Sequence, residues 1–353
     1  MHEEMLELLR CPVTRSRLRL QVISRAVKQY GGREVEVIDE GLLFSESDWV
    51  YPVIRGVPRL LVEAFLDYPG FLARHVPDFE QRKARLEKAY HGLINYSTRK
   101  NKRTRRSFSQ EWSIFDYDHT KTWDADKEVM LIRFCKETGE TTDSLKGQLI
   151  FDAGCGNGLL NQLIAGCEAW VLGMDFSNSI EQAYANNTQP GAWFIQGDVQ
   201  FPPVAFSRFD IVHCSGVLIH TPNTELSFSC IEPCVKPGGK LSVWLYHPRK
   251  DFIHNLFNGI RRVTSRLPIR LQFYLYAVTV FPLSYVVKRL KGNQQSPREM
   301  MIHILDWLSP EFRWEHEHSE AASWFIKRNY AGVEVTTSDT FGFNITGRKI
   351  VCE

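Results

Sequence analysis

Leu149-Ile150-Phe151-Asp152-Ala153-Gly154-Cys155-Gly156-Asn157-Gly158-Leu159-Leu160 joins an apolar run to an acid and then to three glycines at alternate positions. The run reads as a buried strand and the glycines as the turn after it, because residues without a Cβ let the chain reverse and let a ligand approach backbone N–H groups. Spacing limits what that ligand is. A dinucleotide fingerprint, Gly-x-Gly-x-x-Gly, needs its third glycine at position 159. This chain has Leu159 there, and its third glycine falls one place earlier, at Gly158. The turn alone is a weak signal, so the segments downstream must identify the ligand.

A second apolar run, Ala169 to Met174, ends at Asp175 and Phe176. A carboxylate at that strand tip accepts ribose hydroxyls, in nicotinamide and methyl-donor sites alike. Ala192 to Gln196 reads as a third strand closing on Gly197-Asp198-Val199, and Phe209 to Ser215 as a fourth, followed by the loop Gly216 to Asn223. In Val235-Lys236-Pro237-Gly238-Gly239-Lys240-Leu241 a proline and paired glycines end a helix and restart an extended chain. This ordered set, with Asp152 ahead of Gly154-x-Gly156-x-Gly158, resembles the class I S-adenosylmethionine-dependent methyltransferases. The resemblance implies an α/β fold, a Rossmann-like seven-stranded sheet with helices on both faces, and S-adenosyl-L-methionine as cofactor. It places the cofactor against Asp152, Gly154, Cys155, Gly156, Gly158 and Phe176, with Asp175 at the ribose. It also implies Asp198 at the adenine amino group, Val199 beside the base, Ser215 and Leu218 as further cofactor contacts, and the loop Gly216 to Asn223 at the transfer pocket. Any doubly wound sheet carries acids at strand ends, so the ordered set, not the turn, separates the two readings.

A chain of 353 residues exceeds an ordinary single domain, which leaves material for an appended module and an insertion. The formal net charge of +2 gives no large field for nucleic acid or acidic membrane, so any such role is local. The opening Met1-His2-Glu3-Glu4-Met5 lacks the basic and apolar blocks of a secretory signal, and a cytoplasmic location is expected. The eight cysteines are scattered without a Cys-x-x-Cys pair, and Cys230 with Cys234 reads as one helix face. Buried thiols and no bound metal are expected.

Residues 1–63 read as a small β-module: a short helix from Glu3 to Arg10, then Cys11-Pro12-Val13-Thr14, then Gly41 to Phe44 and Trp49 to Leu61. The pattern resembles the small zinc-ribbon-like family that includes activator subunits of tRNA methyltransferases. Thr14 stands where that family has its second cysteine, and no later pair occurs around Ser45 to Asp48. The resemblance is therefore to the metal-free branch, in which packing replaces zinc. Residues 64–125 read as a helical linker and cofactor-covering segment. Its basic run, Arg99 to Arg106, is either solvated linker or a grip for phosphates. Ser107 to Phe115 resembles the aromatic lead-in of methyltransferases acting on glycans and small metabolites, which makes Trp112 a cofactor contact by that resemblance and otherwise a packed aromatic.

Residues 126–353 then hold the methyltransferase domain, with a helical insertion at 249–310. Within it, Leu271 to Val287 is uncharged, bounded by Arg270 and by Lys288, Arg289 and Lys291. The stretch is barely long enough to span a bilayer and contains Pro282, so a helical lid over an acceptor pocket is expected, with peripheral membrane contact through that lid if the acceptor is lipid-linked. Ile304 to Pro310 reads as the return into the core. A last helix, Ser319 to Asn329, and strands near Val333 to Thr337 and Asn344 to Val351 complete the domain.

Methyl transfer from a sulfonium needs positioning more than covalent catalysis. For a hydroxyl acceptor an imidazole can take the proton, with His220 the first candidate and His247 the second. The fourth-strand tail, His213-Cys214-Ser215-Gly216, lacks the Asn or Asp-Pro-Pro-aromatic clamp of nucleobase amino-methyltransferases. The expected acceptor is a hydroxyl or amine on a small metabolite, sugar or lipid-linked glycan. The rival readings are an RNA methyltransferase and a non-catalytic S-adenosylmethionine-binding partner protein. Nothing in the chain indicates its oligomeric state.

Overall fold

The computed structural model describes residues 1–114, 127–249, 252–290, 292–293 and 295–351. The N-terminal module is built on a long hairpin, β1 (Arg19–Tyr30) and β2 (Arg33–Phe44), turned at Gly31 and Gly32, both at positive φ. Strands β3 (Val50–Ile54) and β4 (Val57–Pro58) extend it antiparallel. The sequence reading found only the end of β2 and missed β1. Most of β1 is solvated on both faces, so its side chains show no alternation, and pairing with β2 holds it. The expected first helix is a shorter 3-10 segment, Glu3–Glu7.

Three helices follow: α1 (Ala64–Asp67), α2 (Pro69–His75) and the long α3 (Phe79–Ile114), kinked at Tyr90. After α4 (Lys127–Thr138), strands and helices alternate: β5 (Leu149–Ala153), α5 (Leu159–Ala165), β6 (Trp170–Asp175), α6 (Ser179–Ala185), β7 (Ala192–Gln196), β8 (Phe209–Ser215), α7 (Thr224–Ile231) and β9 (Val235–Tyr246). The insertion holds α8 (Phe252–Thr264), α9 (Ile269–Val278), α10 (Val280–Leu290) and α11 (Pro297–Leu308), and α12 (His318–Ile326), β10 (Tyr330–Ser338) and β11 (Gly342–Lys349) close the chain.

Among the described residues the large sheet has seven strands in the order β10-β11-β9-β8-β5-β6-β7. Strands β5 to β9 run parallel and β11 enters antiparallel to β9. Parallel strands covered on both faces need mostly apolar residues, which is why β5 to β8 read as predominantly apolar runs. This is the class I methyltransferase fold. Strand order reverses between β5 and β8, and the crevice at such a switch point is where open α/β sheets bind ligands.

The module is sewn to the free edge of β7. The Leu60 amide donates to the Gln196 carbonyl at 2.8 Å, and the Ala205 amide donates to the Leu8 carbonyl at 2.7 Å. Arg59, buried at the seam, donates to Gln196 Oε1 at 3.4 Å and to Glu181 Oε1 at 2.9 Å. One hydrophobic core runs through Leu9, Trp49 and Leu61 of the module and Met174, Ile195 and Val212 of the sheet. Cys11 is buried against the Tyr51 hydroxyl at 3.2 Å, with the Thr14 amide 3.4 Å from its sulfur. No group of three or more His, Cys, Asp or Glu is placed to hold a metal among the described residues.

The four insertion helices build a separate small core from Tyr276, Met301, Ile304, Leu305 and Leu308. The Tyr276 hydroxyl, buried there, donates to Thr264 Oγ1 at 2.6 Å. Ile304 to Leu308, expected as the return into the main core, instead form the end of α11, because their apolar side chains pack within the insertion. Among the described residues no helix is long and apolar enough to cross a membrane.

Candidate active site

The C-terminal ends of the parallel strands open on a cavity of about 700 Å³. Gly154, Cys155 and Gly156 line one side. Gly154 sits at φ +103°, and a Cβ there would fall 2.2 Å from Val217 Cγ2. Amides of the turn are engaged by carbonyls of β6 and of the turn itself. Those of Gly154 and Cys155 donate to the Met174 carbonyl at 2.7 and 3.0 Å, and that of Gly158 donates to the Cys155 carbonyl at 3.0 Å. The glycines therefore permit positive φ and close packing, against Val217 at Gly154, rather than presenting a row of free donors. Gly158 does not line the cavity; it caps α5 at φ +73°, where a Cβ would lie 2.5 Å from Phe194 Cε1. Leu218 is also absent from the cavity wall, because its side chain is fully buried in the main core.

Asp175 lines the cavity at the tip of β6. Its Oδ1 accepts from the Ser177 amide at 2.8 Å and the Ser177 hydroxyl at 2.6 Å, and its Oδ2 accepts from the Gly156 amide at 3.1 Å. A carboxylate has about four acceptor positions, so this network leaves room on Oδ2 for one donated hydroxyl rather than two. Burial raises its pKa, against the opposing pull of these hydrogen bonds. Phe176, Val199 and Ser215 line the same cavity. So does Asp198, whose Oδ1 accepts from the Gln200 amide at 2.9 Å and whose Oδ2 pairs with Lys100 of α3. Lys100 also donates to Gln200 Oε1 at 2.9 Å, so this member of the basic run points inward. The side chain of Trp112 lies outside the described residues.

Asp152 meets a network that sequence reasoning missed. His213 stands opposite Asp152 in the β5–β8 pair, with Nδ1 3.0 Å from Asp152 Oδ1 and Nε2 3.1 Å from Glu137 Oε2. Carboxylate oxygens accept, so both ring nitrogens donate and the imidazole is cationic. Burial opposes that charge, but the two carboxylates overcome it and lift the pKa to about 9. Burial likewise pushes Glu137 up, yet His213 and Arg133, the latter at 2.7 Å, bring it below its usual range. Arg133, Glu137, Asp152 and His213 all line the cavity. The available signal was a histidine among the buried apolar residues of β8; Glu137, 76 residues away, gave none.

His220 is buried at the cavity wall, with Nδ1 2.8 Å from the Phe312 carbonyl. A carbonyl can only accept, so Nδ1 carries the proton and Nε2 is the basic nitrogen. Burial lowers its pKa to about 4, with Arg313 and Arg261 adding to the effect and the Phe312 bond opposing it. His247 is not brought to the cavity. Its Nε2 donates to the Thr340 carbonyl at 3.0 Å. The cavity also has aromatic lining from Trp244, Tyr246, Trp307 and Phe341. Arg313 lies 4.0 Å over the Tyr246 ring and pairs with Glu315, which also holds His254 at 2.6 Å. Val280, Ser284 and Lys288 of α10 bring the insertion to the same space.

Residues 151–243 match a family model described as a methyltransferase domain. The chain is 34% identical over 101 residues to the ubiquinone biosynthesis O-methyltransferase of Coxiella burnetii (strain RSA 493 / Nine Mile phase I), covering 28% of this chain and 43% of that protein. The protein of the same name from Proteus mirabilis is 32% identical over 133 residues, covering 36% of this chain and 54% of that one. The chain thus spans about half the length of these relatives. The solved structure of an S-adenosylmethionine dependent methyltransferase from Mesorhizobium loti aligns with a TM-score of 0.41 and 16% identity, covering 65% of this chain and 100% of that chain. The family match begins in β5 and ends in β9, so it takes in the glycine turn, Asp175, Asp198 and the His220 loop: residues 151–243 carry a methyltransferase sequence pattern on a class I methyltransferase fold.

Proposed function

We propose that this protein transfers a methyl group from S-adenosyl-L-methionine to a hydroxyl or amine of a small metabolite, sugar or lipid-linked glycan. The observation that carries the reading is one cavity lined both by the glycine turn, Asp175 and Asp198 and by His220 and the aromatic residues of β9 and α11. Its volume suits a nucleoside donor and a small acceptor together. The site fits the nucleoside: Gly154 and Gly156 line the cavity, Asp175 has an acceptor position for a ribose hydroxyl, and Asp198 has remaining acceptor capacity for an amino group. When bound, S-adenosyl-L-methionine supplies a sulfonium-activated methyl whose departing thioether is neutral. Trp244, Tyr246 and Trp307 exclude water and orient the acceptor, and that positioning can lower the barrier by several kcal/mol. His220, neutral at physiological pH, holds its Nε2 as the site for the acceptor's proton. The relatives are O-methyltransferases by name, which favours a hydroxyl acceptor. The N-terminal module serves as an activator-like scaffold carried in the same chain; its seam with β7 supports that role.

Calorimetry with S-adenosylhomocysteine tests the donor half. We expect binding that weakens at least about tenfold in Asp175→Ala, since a hydrogen bond to a charged group is worth roughly 1.5–3 kcal/mol. No heat from the donor or its demethylated product, with heat from a nicotinamide dinucleotide, would overturn the proposal. With an acceptor in hand, His220→Gln should slow transfer by about a hundredfold and remove the acid limb of the rate profile near pH 4. An unchanged rate and profile would remove His220 as the base.

A further inference from the structure

The insertion has two faces of opposite character. α10 places Val280, Ser284 and Lys288, four residues apart, on the cavity wall. Its other side carries Leu283, Val286, Val287 and Leu290 into solvent, with Leu290 83% exposed. α9 adds Leu271, Tyr274 and Val278 at intervals of three and four, a single helical stripe, with Val278 75% exposed. Apolar residues scattered singly are ordinary on a protein surface; contiguous stripes on two successive helices are not.

Charge decides what covers them. Between residues 252 and 298 the chain has eight Arg or Lys and no Asp or Glu, although the whole chain carries only +2. Arg262, Arg266, Arg270 and Arg289 are exposed around the apolar stripes. We infer that α9 and α10 lie in the interface of an anionic bilayer, with the basic residues at the headgroups, and that the acceptor is a lipid-linked molecule drawn from that bilayer. This rests on the methyl-transfer reading for the acceptor and on the surface alone for the membrane. Helices of 10 and 11 residues cover roughly half the thickness of a hydrocarbon core, so they rest in the interface and do not span it. Arginine stems cover apolar surface while their guanidinium groups reach phosphate, and each cation near an anionic surface strengthens binding about fivefold. Because the opposite face of α10 lines the cavity, the bilayer and the site share one wall.

Cosedimentation of the full-length protein with two vesicle types tests the inference: phosphatidylcholine alone, and phosphatidylcholine mixed equally with phosphatidylglycerol. Binding to the mixed vesicles is expected, at least about tenfold stronger than to the neutral ones. Leu283→Glu with Leu290→Glu should lower that binding about tenfold or more, and Arg266→Gln with Arg270→Gln should do the same. Circular dichroism and S-adenosylhomocysteine binding, both expected to match wild type, establish that the variants fold. Leu290→Ser replaces the double glutamate variant if it does not. Donor binding is read without vesicles and vesicle binding without donor, so each reading fails separately. Three results would each overturn the membrane inference: wild-type protein left in the supernatant with both vesicles; the leucine variant sedimenting like wild type, as for a purely charge-driven RNA binder; or a stable dimer by light scattering that the leucine variant dissociates.

Discussion

His213 shows how far a single residue departs from its sequence context. Its strand reads as plain core, yet the structure holds an imidazolium between two buried carboxylates. Removing one partner from such a set leaves the others charged and unpaired, which costs more than the pair ever contributed. His213→Gln should therefore destabilise the fold by about 3 kcal/mol in denaturant unfolding. The sign of the pH effect follows from the raised pKa. The stabilisation is fully present below the imidazole's ordinary 6.5 and is lost as pH rises through about 9. Wild-type stability should fall by up to about 3 kcal/mol across that window and the variant's should not; parallel curves would refute the charged assignment. By contrast, the place of Asp175 at a strand tip beside the cavity was legible from the apolar run that it ends. Its hydrogen bonds to Ser177 and Gly156 were not, since they depend on how the turn closes in space.

Elements show the same division. β5 through β8 were readable as mainly apolar runs, because a strand covered on both faces is mostly apolar, and β9 by the proline and paired glycines at its start. β1 was not, because solvated two-faced strands are specified by their partner rather than by their own pattern. α11 was misassigned for a related reason: Ile304 to Leu308 pack into an insertion core that hydrophobicity alone cannot distinguish from the main one. The seam between β4 and β7 also depends on a residue with no sequence signal, Arg59, buried with its charge paired to Glu181. Arg59→Ala should lower stability by about 3 kcal/mol, by leaving a cavity beside the Tyr68 ring, taking one donor from Gln196 Oε1 and removing the charge partner of Glu181. Arg59→Lys should recover only part of this, because an ammonium cannot reproduce the guanidinium fork. A denaturation midpoint unchanged in Arg59→Ala would show that the seam is held by its backbone bonds alone.

At the scale of the whole molecule the distribution of cores sets which parts open together. The module and the sheet share one apolar core reaching from Met1 to Ile345, whereas the insertion packs around its own five buried residues. Cooperative opening units follow such boundaries, and their free energies scale with the apolar contact each would lose. Native-state hydrogen exchange should therefore protect β3 and β5 to within about 1 kcal/mol of each other, while α9 and α10 open several kcal/mol more readily. This order serves the proposed chemistry, since a wall that opens independently admits an acceptor without disturbing Asp175, Asp198 or the glycine turn. Binding of S-adenosylhomocysteine should raise protection in β5 and β6 and leave the outer turns of α9 unchanged. If β3 exchanged well ahead of β5, the N-terminal module would be an independent body. The shared core would then be a contact between two domains rather than one folding unit.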